Sequence, residues 1–276
     1  MNRRQFFRMA TGTAVGAAFA GTCYGFFESG WVAVSESTFA LPNLPPSFKG
    51  TRIAFLTDIH HGPYTDLSYI EGIVRTTNLI QPDIILHGGD YSLRDGKYIG
   101  PVFEVLAQLR APMGIYGVLG NHDYWHGLTE TKDGLRSAGV TDLTNTGEWL
   151  VRGGDRLRIG GVDDLWCGQQ DAAKALGDAT AQHASILLSH NPDYAENLRP
   201  DLANRVGLML SGHTHGGQMV FPGGLAPFVP SRFGTKYLRG VVQAPNTIVL
   251  VSRGLGTSML PARIGSRPEI NVITLV

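Results

Sequence analysis

The chain has 276 residues, enough for one large domain or two small ones, and its 43% hydrophobic content excludes a polar disordered chain. Thirty-six glycines without a G-X-Y period exclude collagen and point to tight loops between strands. Lys+Arg and Asp+Glu both count 23, which leaves no basic footprint for nucleic acid, and the two cysteines, Cys23 and Cys167, are too few for a disulfide scaffold or a thiolate zinc site.

The chain opens on Arg3-Arg4-Gln5-Phe6-Phe7-Arg8, followed by an uncharged stretch, residues 9–27, rich in Gly, Ala and Thr. A cationic patch before a weakly apolar run reads as a signal or a membrane anchor, and two arginines followed by two bulky apolar residues resemble the twin-arginine export motif. As a helix the uncharged stretch would span roughly 28 Å, just enough to cross a bilayer. Ala18-Phe19-Ala20 offers a cleavage site, so a cleaved signal and a retained anchor, residues 1–27, both stand. Residues 28–50, with Pro42, Pro45 and Pro46, read as a linker or a first edge strand leading into a domain over 51–276.

Short apolar runs then recur at 52–57, 83–87, 113–119, 185–189 and 206–211, the pattern of buried strands. Helical patterns at 67–79, 102–109, 128–138 and 172–176 separate several of them, which predicts an α/β domain. Further strand-like runs at 148–152, 156–162 and 247–251 make the sheet mixed or doubled.

Each of the first five runs ends in polar residues. They are Asp58-Ile59-His60, Gly88-Gly89-Asp90, Gly120-Asn121-His122-Asp123, His190-Asn191-Pro192 and Gly212-His213-Thr214-His215-Gly216-Gly217-Gln218. The carboxyl ends of strands in an open α/β sheet converge on one crevice. Oxygen and nitrogen donors without thiolate suit Mn, Fe or Zn in a catalytic setting. Two carboxylates against two divalent ions leave a positive field that attracts phosphate. Asp58 and His60 lie two apart, so continued strand geometry would aim both at one face, and His213 and His215 repeat the spacing. Singly, D-x-H or Gly-Asp is an ordinary strand end or turn; the ordered set of five is far more specific.

In that order the set resembles the calcineurin-like metallophosphoesterase superfamily, over roughly residues 52–218. The resemblance implies a four-layer α/β/β/α sandwich of two mixed sheets with a dimetal site at the strand ends. It implies Asp58, His60 and His215 at one metal, Asn121, His190 and His213 at the second, and Asp90 bridging them. His122 would protonate the leaving oxygen, with Asp123 orienting it. Two divalent or trivalent ions (Mn, Fe or Zn) would supply a hydroxide that attacks a phosphodiester or pyrophosphate in line. Gly161-Val162-Asp163-Asp164, the Gly-His-Thr-His-Gly-Gly-Gln run and the N-terminal segment resemble the membrane-associated bacterial branch, which includes enzymes similar to UDP-2,3-diacylglucosamine diphosphatase and exported phosphodiesterases.

The expected partners are therefore a phosphate-ester substrate, lipid-linked on this reading, the twin-arginine translocase and the membrane; no nucleic acid is expected, although nucleic-acid enzymes such as exonucleases share these motifs. Export is the expected route, to a membrane-anchored or envelope location. A cytoplasmic-face hydrolase of lipid A synthesis and a non-catalytic metal-binding module are the alternatives. Arg253 and His126 are candidate substrate contacts, with Trp125 beside His126 at the pocket mouth. His61 and His87 read as packing residues, His183 as exposed loop, and the apolar residues 221–229 as a covered core loop in preference to a lipid contact.

Overall fold

In this computed structural model residues 2–276 are described, apart from the side chains at positions 6, 10, 12 and 14–19 of the first helix; Ala18 and Phe19 of the candidate cleavage triplet thus lie outside the described side chains. The first half of the chain forms α1 (Arg3–Ser29), β1 (Ala33–Phe39), β2 (Arg52–Leu56), α2 (Leu67–Ile80), β3 (Ile84–His87), α3 (Ile99–Leu106) and β4 (Ile115–Gly117). There follow α4 (Asn121–Ser137), β5 (Thr141–Asp142), β6 (Thr146–Arg152), β7 (Asp155–Gly161), α5 (Ala172–Leu176) and β8 (Ser185–Leu188). The last elements are α6 (Tyr194–Asn197), α7 (Pro200–Ala203), β9 (Leu208–Ser211), β10 (Gly240–Gln243), β11 (Ile248–Val251) and β12 (Glu269–Leu275).

Strands β2, β3, β8 and β9 are buried almost throughout, as strands covered on both faces must be. They sit inside two six-stranded mixed sheets, ordered β1-β12-β2-β3-β4-β5 and β10-β11-β9-β8-β7-β6. Successive side chains of a strand point to opposite faces, and this sorts the core. Ala54 and Leu56 pack with Ile70, Ile73, Phe103 and Leu135 of the helices α2–α4. Ile53 and Phe55 instead meet Ile159, Ile186 and Leu210 of the second sheet. On the far side Leu187, Met209 and Val249 pack with Ala175 and Ala195 of α5 and α6. Three apolar interfaces separate four layers, helix, sheet, sheet, helix.

Residues 28–50 take the edge-strand form: β1 pairs in parallel with β12, Ala33 opposite Glu269, while Leu41 and Phe48 are buried between the sheets. The helix expected at 128–138 begins earlier, at Asn121, because its first turn is polar and serves the strand-end cluster rather than the core; it kinks at Gly127. Helix α1, 27 residues and about 40 Å long, touches the body at its C-terminal end. There Gly25 O accepts from Arg263 N at 3.0 Å, and the buried Glu28 accepts from Gly265 N at 3.0 Å and Ser266 N at 2.7 Å. Among the described residues no helix is long and apolar enough to cross a membrane.

Candidate dimetal site

Strands β2, β3 and β4 of one sheet and β8 and β9 of the other deliver the five polar loops to a common edge. The local geometry differs from the expected continuation of the strands. β2 stops at Leu56 and β9 at Ser211, and Asp58, His60, Asp90, His213 and His215 all adopt left-handed backbone, with φ of 53°, 50°, 59°, 68° and 52°. Asp and His tolerate that region better than most residues, yet each such conformation costs on the order of 1 kcal/mol, so the surrounding packing must enforce it. Glycine is required beside them. A Cβ at Gly212 would lie 2.2 Å from Asp58 Oδ2, and one at Gly120 would lie 2.3 Å from Asp90 Oδ1.

The side chains meet in a buried cluster. His60 Nε2 lies 3.0 Å from His215 Nε2, 3.4 Å from Asp90 Oδ2 and 4.0 Å from Asp58 Oδ1, and His215 Nε2 is 3.4 Å from Asp58 Oδ1. His190 Nε2 lies 3.2 Å from Asp90 Oδ2 and 3.2 Å from His213 Nδ1. Asp90 therefore stands between two groups of donors. Asp58, His60 and His215 form one set compact enough to hold a metal ion, and Asp58, Asp90 and His190 another. Asn121 Oδ1 is buried with no hydrogen-bond partner among the described residues, as is His213 Nε2. Two imidazole nitrogens face to face and an orphaned amide oxygen are costly in a dry site, and a cation among them relieves both costs. The residues present fit a pair of metal ions.

The electrostatics agree. Burial pulls His60 down to about 3, and takes His213 and His215 well below the usual histidine range, so these rings are neutral donors. Burial also pushes the Asp58 carboxyl up to about 6, with His190 opposing and the Asp90 charge adding to the rise. For His190, burial is overridden by Asp90, which lifts it to about 10. Outer contacts orient the rings. His190 Nδ1 lies 2.7 Å from Gly88 O, a distance at which its N–H donates, and this turns Nε2 toward Asp90.

The calcineurin-like phosphoesterase family profile matches residues 51–217, more than half of the chain. The chain belongs to that family. Its relatives include YkuE of Bacillus subtilis, described as an uncharacterized metallophosphoesterase, 34% identical over 100% of this chain and 98% of its own length. Phosphodiesterase YaeI of Escherichia coli is 31% identical, with 100% of both chains covered, and an uncharacterized metallophosphoesterase of Aquifex aeolicus is 32% identical over 91% of this chain and 95% of its own. The family is dimetal dependent and hydrolyses phosphoric esters, so this chain is a metal-dependent phosphoric ester hydrolase.

Within this phosphoesterase the residues around the cluster divide their work differently from the expectation. Asp123 does not orient His122. It is fully buried, and its carboxylate accepts from the backbone N–H groups of Gly120 at 2.8 Å, Asp90 at 2.9 Å and Tyr91 at 3.0 Å, pinning the Asp90 loop to the start of α4. Burial, and then the Asp90 charge, push its carboxyl up to about 7 against those three donors. The hydrogen-bond partner of the His122 ring is His126, with Nδ1 and Nε2 3.2 Å apart. His122 itself is half-buried, its ring edge-on to His60 at 4.7 Å, and its backbone N–H donates to Asp90 Oδ1 at 2.9 Å.

Arg253 is also placed otherwise than expected. Its guanidinium pairs with Glu269 at 2.6 Å and donates to Ser35 at 3.2 Å, tying β1 to β12, so it is a structural ion pair rather than a phosphate contact. Burial would raise Glu269, but the Arg253 hydrogen bond outweighs it and holds the carboxyl below its ordinary 4.5. A depressed carboxyl stabilises above its unfolded value and loses that contribution as pH falls through the folded one. Glu269→Gln is therefore expected to cost about 2 kcal/mol at pH 7. Denaturant titrations of both proteins should show the gap closing as the pH falls below 4.5.

His61 packs edge-on against Tyr98 with Nδ1 on Thr65 O, and His87 is fully buried against Tyr91 and held neutral by burial. His183 Nδ1 caps the turn at Thr180 N. Asp163 and Asp164 accept backbone N–H groups of their own loop, and Asp163 also takes the Tyr124 hydroxyl.

Two features of the site escaped the sequence. That same loop presents Trp166, whose ring meets His213 edge-on at 4.3 Å and stacks on Trp125 at 6.3 Å, so an aromatic wall stands over one side of the cluster. On the other side the fully buried Arg263 donates to the carbonyls of Gly256, Arg253 and Ser266, with Nη2 3.3 Å from His215 Nδ1. Trp166 could have been suspected from its place just after the Asp pair; nothing in the sequence marks Arg263.

Proposed function

We propose that this chain is a dimetal-dependent phosphodiesterase acting on phosphodiester or pyrophosphate bonds of membrane- or envelope-associated substrates. The single observation that supports it is the convergence of five strand-end loops on a buried set of imidazoles and carboxylates close enough to hold metal ions, with Asn121 Oδ1 and His213 Nε2 lacking partners among the described residues. Asp58, His60 and His215 would hold one ion, Asn121, His190 and His213 the second, with Asp90 between them. Bound there, two divalent ions supply Lewis acidity toward the phosphate and lower the pKa of water.

The chain's own residues do the rest. Asp123 fixes the Asp90 loop, and Gly88 O fixes the ring of His190. Trp125 and Trp166 shield one flank of the reacting phosphate from water. His122, at the open side of the cluster with His126 behind it, gives the leaving oxygen its proton. The name of phosphodiesterase YaeI favours diesters. Paired Arg3-Arg4 before an uncharged helix favours export by the twin-arginine route, with residues 1–27 as signal or anchor; a C-terminal reporter active only in the cytoplasm would overturn that.

Hydrolysis of bis-p-nitrophenyl phosphate by the full chain supplied with Mn²⁺ tests the reading. Turnover should vanish with a chelator and return with added metal. Hydrolysis confined to the monoester, or unaffected by chelation, would contradict it.

A further inference from the structure

The apolar residues 221–229 do not form a covered loop. Phe221, Leu225 and Phe228 are 38%, 64% and 56% exposed. Phe221 and Phe228, together with Met259 and Leu260, 59% and 54% exposed, line a cavity of about 290 Å³. Its lining also includes His215, so the cavity shares a wall with the candidate metal cluster. Burying apolar side chains is the default, and a set of them left open around a cavity marks a binding surface.

The cavity is preformed. Gln218, the last residue of the Gly-His-Thr-His-Gly-Gly-Gln run, donates through Nε2 to Leu260 O at 2.7 Å and Ala262 O at 3.0 Å, and accepts from Ser258 N at 3.2 Å. Ile264 N donates to Gln218 O and Val220 N to Ile264 O, so the two apolar walls are joined by backbone pairing. The polar groups in the lining are largely committed: Gln218 as described, and the Thr214 hydroxyl to Leu238 O at 3.0 Å. A nucleobase or sugar would leave its own polar edge without partners here, whereas a hydrocarbon chain would not. Three residues beyond Leu260, Arg263 N donates to Gly25 O at the root of α1, where Tyr24, Phe26 and Phe27 are 48%, 52% and 64% exposed.

We propose that this cavity binds the hydrocarbon chain of an amphiphilic phosphodiester whose phosphate lies at the metal cluster. The proposal rests on the phosphodiesterase reading above and names the substrate class for that site. The volume lies just below the range of ligand pockets, about 300–1,000 Å³, and suits a chain rather than a bulky headgroup.

The test is a series of p-nitrophenyl alkyl phosphodiesters, methyl to decyl, each assayed with Mn²⁺ below its aggregation concentration. For the wild type kcat/KM should rise about fourfold per methylene while each is fully buried, reaching about a hundredfold or more from methyl to octyl before levelling off. The octyl-to-methyl ratio of Phe228→Ser/Met259→Ser should fall below about tenfold. In Leu260→Trp, which fills the cavity from an exposed position, the rise should stop at a shorter chain. A flat series in the wild type overturns the proposal while leaving the phosphodiesterase reading intact. A gradient unchanged in both variants overturns the assignment to this cavity. Absence of turnover for every member, methyl included, overturns both.

Discussion

Asp90→Asn is expected to remove metal binding and hydrolysis together. Asp90 Oδ2 is the one carboxylate oxygen within 3.4 Å of imidazole nitrogens from both halves of the cluster, His60 at 3.4 Å and His190 at 3.2 Å. The substitution keeps the volume and removes the charge that both ions would share. Loss of an outer contact to a metal ligand already costs 10–100-fold in affinity, so loss of the shared ligand should cost about a hundredfold or more. Metal ions contribute several kcal/mol to such reactions, which at 1.36 kcal/mol per tenfold places the loss of kcat/KM at about a thousandfold. Thermal unfolding provides the check. A ligand at about 100 times its dissociation constant adds about 2.7 kcal/mol to folding. Mn²⁺ should raise the Tm of the wild type and leave that of the variant where it was; an equal rise in both would show that Asp90 is not a shared ligand.

His122→Ala should separate catalysis from metal binding. Its backbone N–H, which holds Asp90 Oδ1, survives the substitution, and so does the Asp123 network that fixes the loop. What is lost is a half-buried imidazole backed by His126. Burial lowers its pKa while Asp90 works to raise it, so in the free protein the ring is neutral, and the proton it passes on must be drawn up as the anionic phosphate arrives. Removing a positioned general acid lowers rates by about 10²–10⁴-fold. The loss should be greatest for alkoxide leaving groups and smallest for p-nitrophenolate, which departs without help. Metal content should stay at the wild-type value. His122 also lies close enough to His60 and Asp90 to complete a three-residue metal group, so a fall in bound metal would reassign it as a ligand.

The five polar loops were legible in the sequence because metal donors demand particular side chains at strand ends, and Asp58, His60, Asp90, His190, His213 and His215 do lie within a few ångströms of one another. How the backbone brings them there was not legible. A spacing of two suggested continued strand, whereas left-handed residues at Asp58, His60, His213 and His215 turn the chain while keeping the side chains inward. Asp123 was named for the right loop and the wrong partner, since residue type fixes what a carboxylate can accept but not which N–H groups surround it. The start of α4 was hidden because its first turn spends its polar residues on the site and shows no apolar period. The place of β12, between β1 and β2, depends on pairing across more than two hundred residues, which periodicity cannot carry. Residues 221–229 misled for a related reason: apolar composition says that burial is favourable, not that it happens within this chain.

Crystals of the full chain grown with Mn²⁺ and measured for anomalous scattering would decide the matter. Two peaks should appear, one against Asp58, His60 and His215 and one against Asn121, His190 and His213, with Asp90 touching both. A lone peak elsewhere, or none at these residues in protein that hydrolyses diesters, would contradict the dimetal account.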